Sequence, residues 1–360
     1  MRDDMARILT SCITHKEKTA LSSRWILSCA LPMLFSSAVL ADVYPPAPGT
    51  DRESAAFQDA AEKYLLALDL DDPALEFERL GGTTSTNWSV RRGGMPVANL
   101  KCSRGNTNHH GAVVAYRLGK LLGFNIYPVA VYRSVDATIA GRHFREQCVL
   151  KSWSSVFTQY YWTRETFTDP DARRKSALTA ALRCDQARPV ETERFQYVAS
   201  SKFGDPRLPG RDRVLYRGES SLLSAARDFS SMMVVDALIG NEDRFPGGNT
   251  FFRSVNTSFL RDGNSVVFEN ARLYSLDNEA TFKSKHASTS HSAADLRRFV
   301  SRFDDRVVAA LAKLSKEPEV LADITDNDDA MSEFILEGIR FVLETYGEAQ
   351  NRCGSSAAMF

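Results

Sequence analysis

The sequence predicts an α+β chain in two lobes: a β-rich first half carrying one helix, then a mostly helical second half. Three observations predict it. Between Ala74 and Cys102, short runs of alternating polarity are separated by glycine turns. The apolar run "SSMMVVDALI" leads straight into "GNEDRFPGGN", a stretch rich in turn formers. Beyond about His291, apolar residues recur at helical spacing almost to the end of the chain.

The elements follow in order. Arg24, the apolar "WILSCALPMLFSSAVLA" and Val39-Leu40-Ala41 before Asp42 read as a signal peptide over residues 1–41, with an uncleaved anchor as the other reading. Residues 42–73 hold a proline-rich linker and a helix with Ala56, Phe57, Ala60, Tyr64, Leu65 and Leu68 at helical spacing. "ALEFERL", "NWSVRR" and "VANLKC" form a three-stranded meander, with "GGTTST" and "GGMP" at its turns and Lys101 at its end. A helix follows in "NHHGAVVAYRLGKLLGF", with Val113, Val114, Tyr116, Leu118, Leu121 and Leu122 as its packed positions and Gly123 as its terminator. "NIYPVAVYRSV" and "RHFREQCVLKSW" read as two more strands. The stretch from Ser154 to Arg217 is mixed, with "GRDRVLYRG" as a solvated basic loop. A helix from Ser220 ends at Ile239-Gly240. "NTFFRSV" and "SVVFENARLYSLD" read as strands joined through "LRDGN". In "AADLRRFVSRFDDRVVAALAKL", Leu296, Phe299, Val300, Phe303, Val307, Leu311 and Leu314 share one helical face, and "AMSEFILEGIRFVLETY" repeats that pattern.

Composition narrows the functions. The 360 residues carry a net charge of +0 and are 43% hydrophobic, which suits a sizeable core and lacks the basic footprint of a nucleic-acid binder. There is no G-x-S-x-G nucleophile elbow and no dinucleotide-binding glycine fingerprint. Beyond the leader, Cys102, Cys148, Cys184 and Cys353 suit up to two disulfides in an exported chain, with three connectivities open. No zinc-like spacing appears, and His109 and His110 read as a polar helix start.

Four features line up in chain order: "LGGTTST", Lys101, "NEDRFPGGN" and "SLDNEATF" with Asp277. Each suits phosphoryl transfer, which needs positioning and charge neutralisation more than covalent help. A glycine loop lets backbone N–H groups approach phosphates, a strand lysine adds positive charge, and carboxylate and amide oxygens hold a hard divalent cation. This order resembles the atypical branches of the protein-kinase-like superfamily. "LIGNEDRFPGGN" and "YSLDNEATF" are similar to motifs of the secretory-pathway kinases, the Golgi casein kinase and its four-jointed-like relatives. Type II phosphatidylinositol 4-kinases, HipA-type kinases and actin-fragmin kinase share the logic. "AVVAYRLGKLLGFNIYPVAVYR" resembles the helix and strand of the secretory kinases.

The resemblance implies a kinase-like N-lobe over residues 74–153 and a C-lobe over 154–353. It implies Lys101 on the phosphates of ATP beneath a loop of Gly81, Gly82 and Thr83. Asp243 would be the catalytic base, and Asp277 and Asn249 the ligands of Mg2+ or Mn2+. The implied activity is transfer of the ATP γ-phosphate to a hydroxyl on a protein, sugar or lipid, outside the cytoplasm. A pseudokinase binding module and an AMP-transferase are the alternatives. Three positions depart from the pattern. Asn249 lies six residues after Asp243, one more than kinases usually have, the helix glutamate that would pair with the lysine is missing near Ala112, and Glu279 follows Asp277-Asn278 where relatives often carry glycine.

Overall fold

A computed structural model describes residues 55–80, 86–102, 110–124, 126–139, 141–152, 158–159, 180–186, 196–198, 213–217, 222–242, 244, 250–254, 259–262, 265–269, 271–275, 278 and 280–360. Residues 1–54, where the sequence reading places a signal peptide and linker, lie outside this set. No helix among the described residues is long and apolar enough to cross a membrane.

Helix α1 (Ala55–Ala67) precedes a five-stranded antiparallel sheet of β1 (Leu75–Arg79), β2 (Thr86–Arg92), β3 (Met95–Cys102), β4 (Ala130–Ile139) and β5 (Arg142–Ser152), in the order β1-β2-β3-β5-β4. The β2–β3 hairpin turns at Gly93 and Gly94, with φ of 57° and 75°. Two successive positive φ values give the turn whose twist matches paired strands, and glycine adopts them without steric cost. Pro96 is accommodated at a register shift between Val90 and Arg91, where the ladder does not need its missing N–H.

Helix α2 (His110–Leu121) is inserted between β3 and β4. Val113, Val114, Tyr116, Leu118 and Leu122 are buried as its periodicity predicts, but Leu121 is 42% exposed. Gly123, at φ 77°, ends the helix, with the Phe124 N–H donating to the Gly119 carbonyl. Helix α1 is strapped to α2 where Lys120 meets Asp59 at 2.7 Å and the Tyr116 hydroxyl donates to Glu62 at 3.0 Å.

The second half centres on α3 (Leu222–Ile239), an almost wholly buried helix. A helix apolar on nearly all sides belongs in a core. It packs against α4 (His291–Phe299) and α7 (Asp329–Cys353), and α5 (Asp305–Leu314) and α6 (Val320–Thr325) pack in turn on α7. At the α7 crossing, a β-carbon on Gly338 would lie 2.9 Å from the Leu238 Cα, so only glycine permits that approach.

Three readings of the second half are corrected. "SVVFENARLYSLD" is not one strand. It divides into β11 (Ser265–Glu269), which pairs with β10 (Phe259–Asp262), and β12 (Ala271–Ser275), which pairs with β9 (Thr250–Ser254). "RVLYR" is not loop but β8 (Arg213–Arg217), parallel to β11 and antiparallel to β7 (Gln196–Val198). β6 (Thr158–Gln159) completes the sheet of β9.

The third correction concerns "AADLRRFVSRFDDRVVAALAKL", which is two helices. Residues 300–304 leave the helix because their backbone bonds elsewhere. Ser301 and Arg302 N–H groups donate to the Leu182 carbonyl, and Phe303 pairs with the C-terminal Ala358 and Phe360. The seven apolar positions remain buried all the same. Asp304 caps the second helix by accepting from the Arg306 N–H, and its carboxyl is held below the usual range by Arg306 against the opposing cost of burial, the largest influence on it.

Of the three disulfide connectivities, the structure selects Cys102–Cys148 and Cys184–Cys353. The first joins directly opposed residues of β3 and β5. The second spans 169 residues and ties residue 184 to the end of α7. Closing loops of this length constrains the unfolded chain, worth about 2–4 kcal/mol per bond. Full reduction is therefore expected to lower the melting temperature, more through Cys184–Cys353 than through Cys102–Cys148. Melting with and without reductant, with thiols counted, checks this. An unchanged midpoint with both bonds shown to be reduced would refute it.

Candidate active site

Lys101 stands on β3 in the middle of the five-stranded sheet. It is 5% exposed, so it is not the solvated lysine that a strand end alone would suggest. Opposed residues of antiparallel strands point to the same side. Lys101 therefore shares a face with Asn87 on β2, Val149 on β5 and Tyr132 on β4.

Tyr132 shows what packs on that face. Its ring lies 4.8 Å from the His110 ring, its hydroxyl donates to the His110 carbonyl at 3.4 Å, and the Arg117 guanidinium sits 5.7 Å from its ring centre. Helix α2 thus lies on the lysine side of the sheet. Burial holds the His110 imidazole below its ordinary pKa, against the raising influence of Asp328 and Asp326.

The start of α2 touches the segment after Asp277. A β-carbon on Gly111 would lie 2.2 Å from the Asn278 carbonyl oxygen and 2.3 Å from the Thr281 hydroxyl oxygen. Any other residue at 111 would force helix and segment apart. Two turns further on, Arg117 donates to the carbonyls of Asp323 and Ile324 and to the Asp326 carboxylate, which anchors α2 to the helical half. Ala112, where the pairing glutamate would stand, is buried, and α2 contains no acidic residue.

The "NEDR" turn begins where α3 stops. Gly240 has φ 62°, and the Phe334 ring lies 2.9 Å from where its β-carbon would be, so glycine is needed on both grounds. Beyond it, Arg244 is 4% exposed and Asp236, on the last turn of α3, is 2% exposed. The Arg244 Nε donates to one Asp236 oxygen at 2.7 Å and an Nη to the other at 2.9 Å. The same Nη reaches the Ser275 hydroxyl at 2.7 Å and Asn278 Oδ1 at 2.8 Å. Ser275 also donates to Asn278 Oδ1, and Asn241 Nδ2 donates to Asp236 at 2.8 Å. Buried charges are tolerated when paired and hydrogen-bonded in this way.

Main-chain bonds reinforce the arrangement. Glu242 N–H donates to the Ala280 carbonyl, Phe282 N–H to Ile239, and Ser275 N–H to Ile126. The turn after α3, the end of β12 and the segment before β4 are pinned together. Beside this network, burial raises the Tyr127 phenol well above its ordinary pKa, and Asp236 adds to the shift.

The frame around the acidic positions is therefore described, while Gly81, Gly82, Thr83, Asp243, Asn249, Asp277 and Glu279 themselves lie outside the described residues. Among the described residues, no group of three or more His, Cys, Asp or Glu could hold a metal. Sequence reasoning missed Asp236, Ser275 and the role of Asn278 in this network. The available signal was Asp236 itself, a lone carboxylate inside the apolar run "MMVVDALI".

A comparison with protein-family models finds no match for the chain, and one with curated proteins finds none either. Solved structures do match. The Golgi casein kinase is similar over 90% of this chain and 85% of its own, with a TM-score of 0.54 at 12% identity. The chain has an atypical protein-kinase-like fold. The Golgi casein kinase with Mn and ADP bound matches 95% of this chain and 93% of its own, with a TM-score of 0.50 at 11% identity. A hydra Fam20 structure with sugar matches 90% and 97%, with a TM-score of 0.50 at 12% identity. In kinase-like terms, β1–β5 form the strand-rich part, α2 is its inserted helix, and α3 leads into the turn that carries Asp243.

Proposed function

We propose that this chain is an exported phosphotransferase that moves the γ-phosphate of ATP to a hydroxyl of a protein, sugar or lipid, using Mg2+ or Mn2+. One observation carries the reading. The Asp236–Arg244–Ser275–Asn278 network pins Asn241 and Arg244, which flank Asp243 in the chain, to Ser275 and Asn278, which flank Asp277. Gly111 then seats the helix of the lysine face against that same segment. The donor set also fits the groups it would hold. Asp277 and Asn249 offer the oxygen ligands that a hard divalent cation takes, and Lys101 offers a compact charge for phosphate.

Asp243 would accept the proton of the acceptor hydroxyl, and Arg244 would hold its turn. Gly81, Gly82 and Thr83 would offer backbone N–H groups over the phosphates. The metal, when bound, neutralises the charge spread over the phosphate oxygens. The two disulfides agree with export, since such bonds persist in oxidising compartments.

One observation favours a second reading, a binding module without turnover: α2 has no carboxylate to pair with Lys101. Incubation with ATP and Mn2+ followed by intact-mass measurement separates the readings. Phosphate transfer to the chain itself adds about 80 Da and AMP transfer about 329 Da, the masses of the two groups. Nucleotide binding with no transfer to the chain or to a panel of proteins, sugars and lipids would support the module.

ATP is expected to raise the melting temperature only with a divalent cation present, and Asp277→Ala should remove that increment. An undiminished metal-dependent shift in the variant would exclude Asp277 as a ligand.

A further inference from the structure

Away from the candidate active site, the described residues surround a cavity of about 640 Å³. That lies within the range of about 300–1,000 Å³ usual for small-molecule sites. Its wall comes from α1, α2, the β4–β5 edge of the sheet and the turn from α6 into α7. Helix α2 contributes His110 and Arg117, which stand two turns apart and so on one side of the helix. Gly111, one position on from His110, meets Asn278 and Thr281 instead. No residue of the Asp236–Arg244–Ser275–Asn278 network lines the cavity, so it is separate from the acidic frame.

The wall combines apolar, aromatic and acidic groups. Leu66, Val131 and Met331 are the apolar part, and Leu66 is one of two large apolar side chains among the described residues left widely exposed, at 51%. The His110 and Tyr132 rings are the aromatic part. Burial keeps the imidazole below its ordinary pKa, so at pH 7 it adds no charge. Glu62, Asp326 and Asp328 are the acidic part, against one lining cation, Arg117. Arg117 is already committed to the Asp326 carboxylate at 2.8 Å and to the Asp323 and Ile324 carbonyls. Lys120 reaches Glu62 at 3.4 Å but is matched by Asp59 at 2.7 Å.

The cavity therefore carries surplus negative charge, which selects a cationic occupant. The acidic groups are not placed to share one ion, since no set of three His, Cys, Asp or Glu among the described residues could hold a metal. Carboxylates on α1 and on the α6–α7 turn, in a wall that also holds rings and apolar side chains, match ammonium groups joined by a hydrocarbon stem. We propose that this cavity binds a small aliphatic diamine or polyamine, with Glu62 and Asp328 receiving ammonium groups and Leu66, Met331 and Tyr132 covering the stem. Both carboxylates keep acceptor capacity for this. Asp328 caps α7 by taking the Met331 N–H on one oxygen, and Glu62 takes the Tyr116 hydroxyl on one oxygen. A ligand held by α1 and by the α6–α7 turn ties the first half of the chain to the helical half, so it stabilises the folded state by mass action. The proposal is independent of the nucleotide reading.

The test uses the full chain without nucleotide and three probes: hexamethylenediamine, the hexanediol of the same length, and sodium chloride at matched ionic strength. The diamine is expected to raise the melting temperature in step with its concentration, and the diol and salt are not. By titration calorimetry, Glu62→Gln and Asp328→Asn should each weaken diamine binding about tenfold, and the double variant about a hundredfold. Glutamine still accepts from Tyr116 and asparagine still caps α7, so the ligand-free variants should melt close to wild type. The titrations are run at a temperature where circular dichroism shows every variant folded, so a modest loss of stability does not hide the result.

Wild-type diamine affinity in the double variant would overturn the proposal. An equal shift from the diol would also overturn it, by marking an apolar pocket that does not read charge. So would an equal shift from salt, which would mark screening of surface charge, or a wild-type chain that does not bind the diamine.

Discussion

Asp243→Asn is expected to keep the fold and nucleotide binding and to lower turnover by about 10² to 10⁴, the usual worth of a positioned base. The structural duties of the turn are already assigned to other residues. Gly240 ends α3 with its positive φ, Asn241 and Arg244 are held by Asp236, and the Glu242 N–H is taken by the Ala280 carbonyl. A carboxylate three residues past a helix C-terminus also opposes the helix dipole, so capping does not explain it. Asparagine preserves shape and hydrogen bonding but cannot accept the acceptor's proton. Single-turnover rates beside a melting curve test the two halves separately. Loss of the fold would make Asp243 structural, and full activity would move the base elsewhere.

Asp236→Ala is expected to destabilise the protein by about 3–5 kcal/mol, because it leaves Arg244 as a buried charge without its carboxylate. For a chain of this size that is a fall in melting temperature of roughly 10 °C. The paired variant Asp236→Ala/Arg244→Met should be less destabilised than Asp236→Ala alone, since the stranded charge goes with its partner. The network also sets the geometry of Ser275 and Asn278 on either side of Asp277. Even the recovered double variant should therefore remain weak in turnover. If Asp236→Ala melts within about 1 kcal/mol of wild type, the network does not hold the site together.

Local chemistry made much of the frame legible. Glycines at 93 and 94, 123 and 240 mark a hairpin turn and two helix ends because each stands where the chain takes a positive φ. Alternation along β1–β3 put Lys101 on a strand, and helical spacing found the buried positions of α2, α4 and α5. The order of glycine loop, lysine, Asp-Arg and Asp-Asn suggested a kinase-like arrangement before any contact was known.

What the sequence left open has one physical cause: it depended on partners distant along the chain. Periodicity reports which side chains are buried, so Leu296 to Leu314 read as one helix. Whether the backbone stays helical at 300–304 was decided by the Leu182 and Ala358 carbonyls. "SVVFENARLYSLD" divides because its halves pair with different strands, β10 and β9. Four cysteines permit three pairings until folding brings 102 beside 148 and 184 beside 353. Asp236 looks like an intruder in an apolar helix until Arg244 folds back onto it, eight residues later, and Ser275 and Asn278 close the network. The sequence by itself determined the elements of the first half, their order and the residue types fit for phosphoryl transfer. Only the tertiary structure decided which of them meet, because a buried charge or an interrupted helix is stable only with its partner in place.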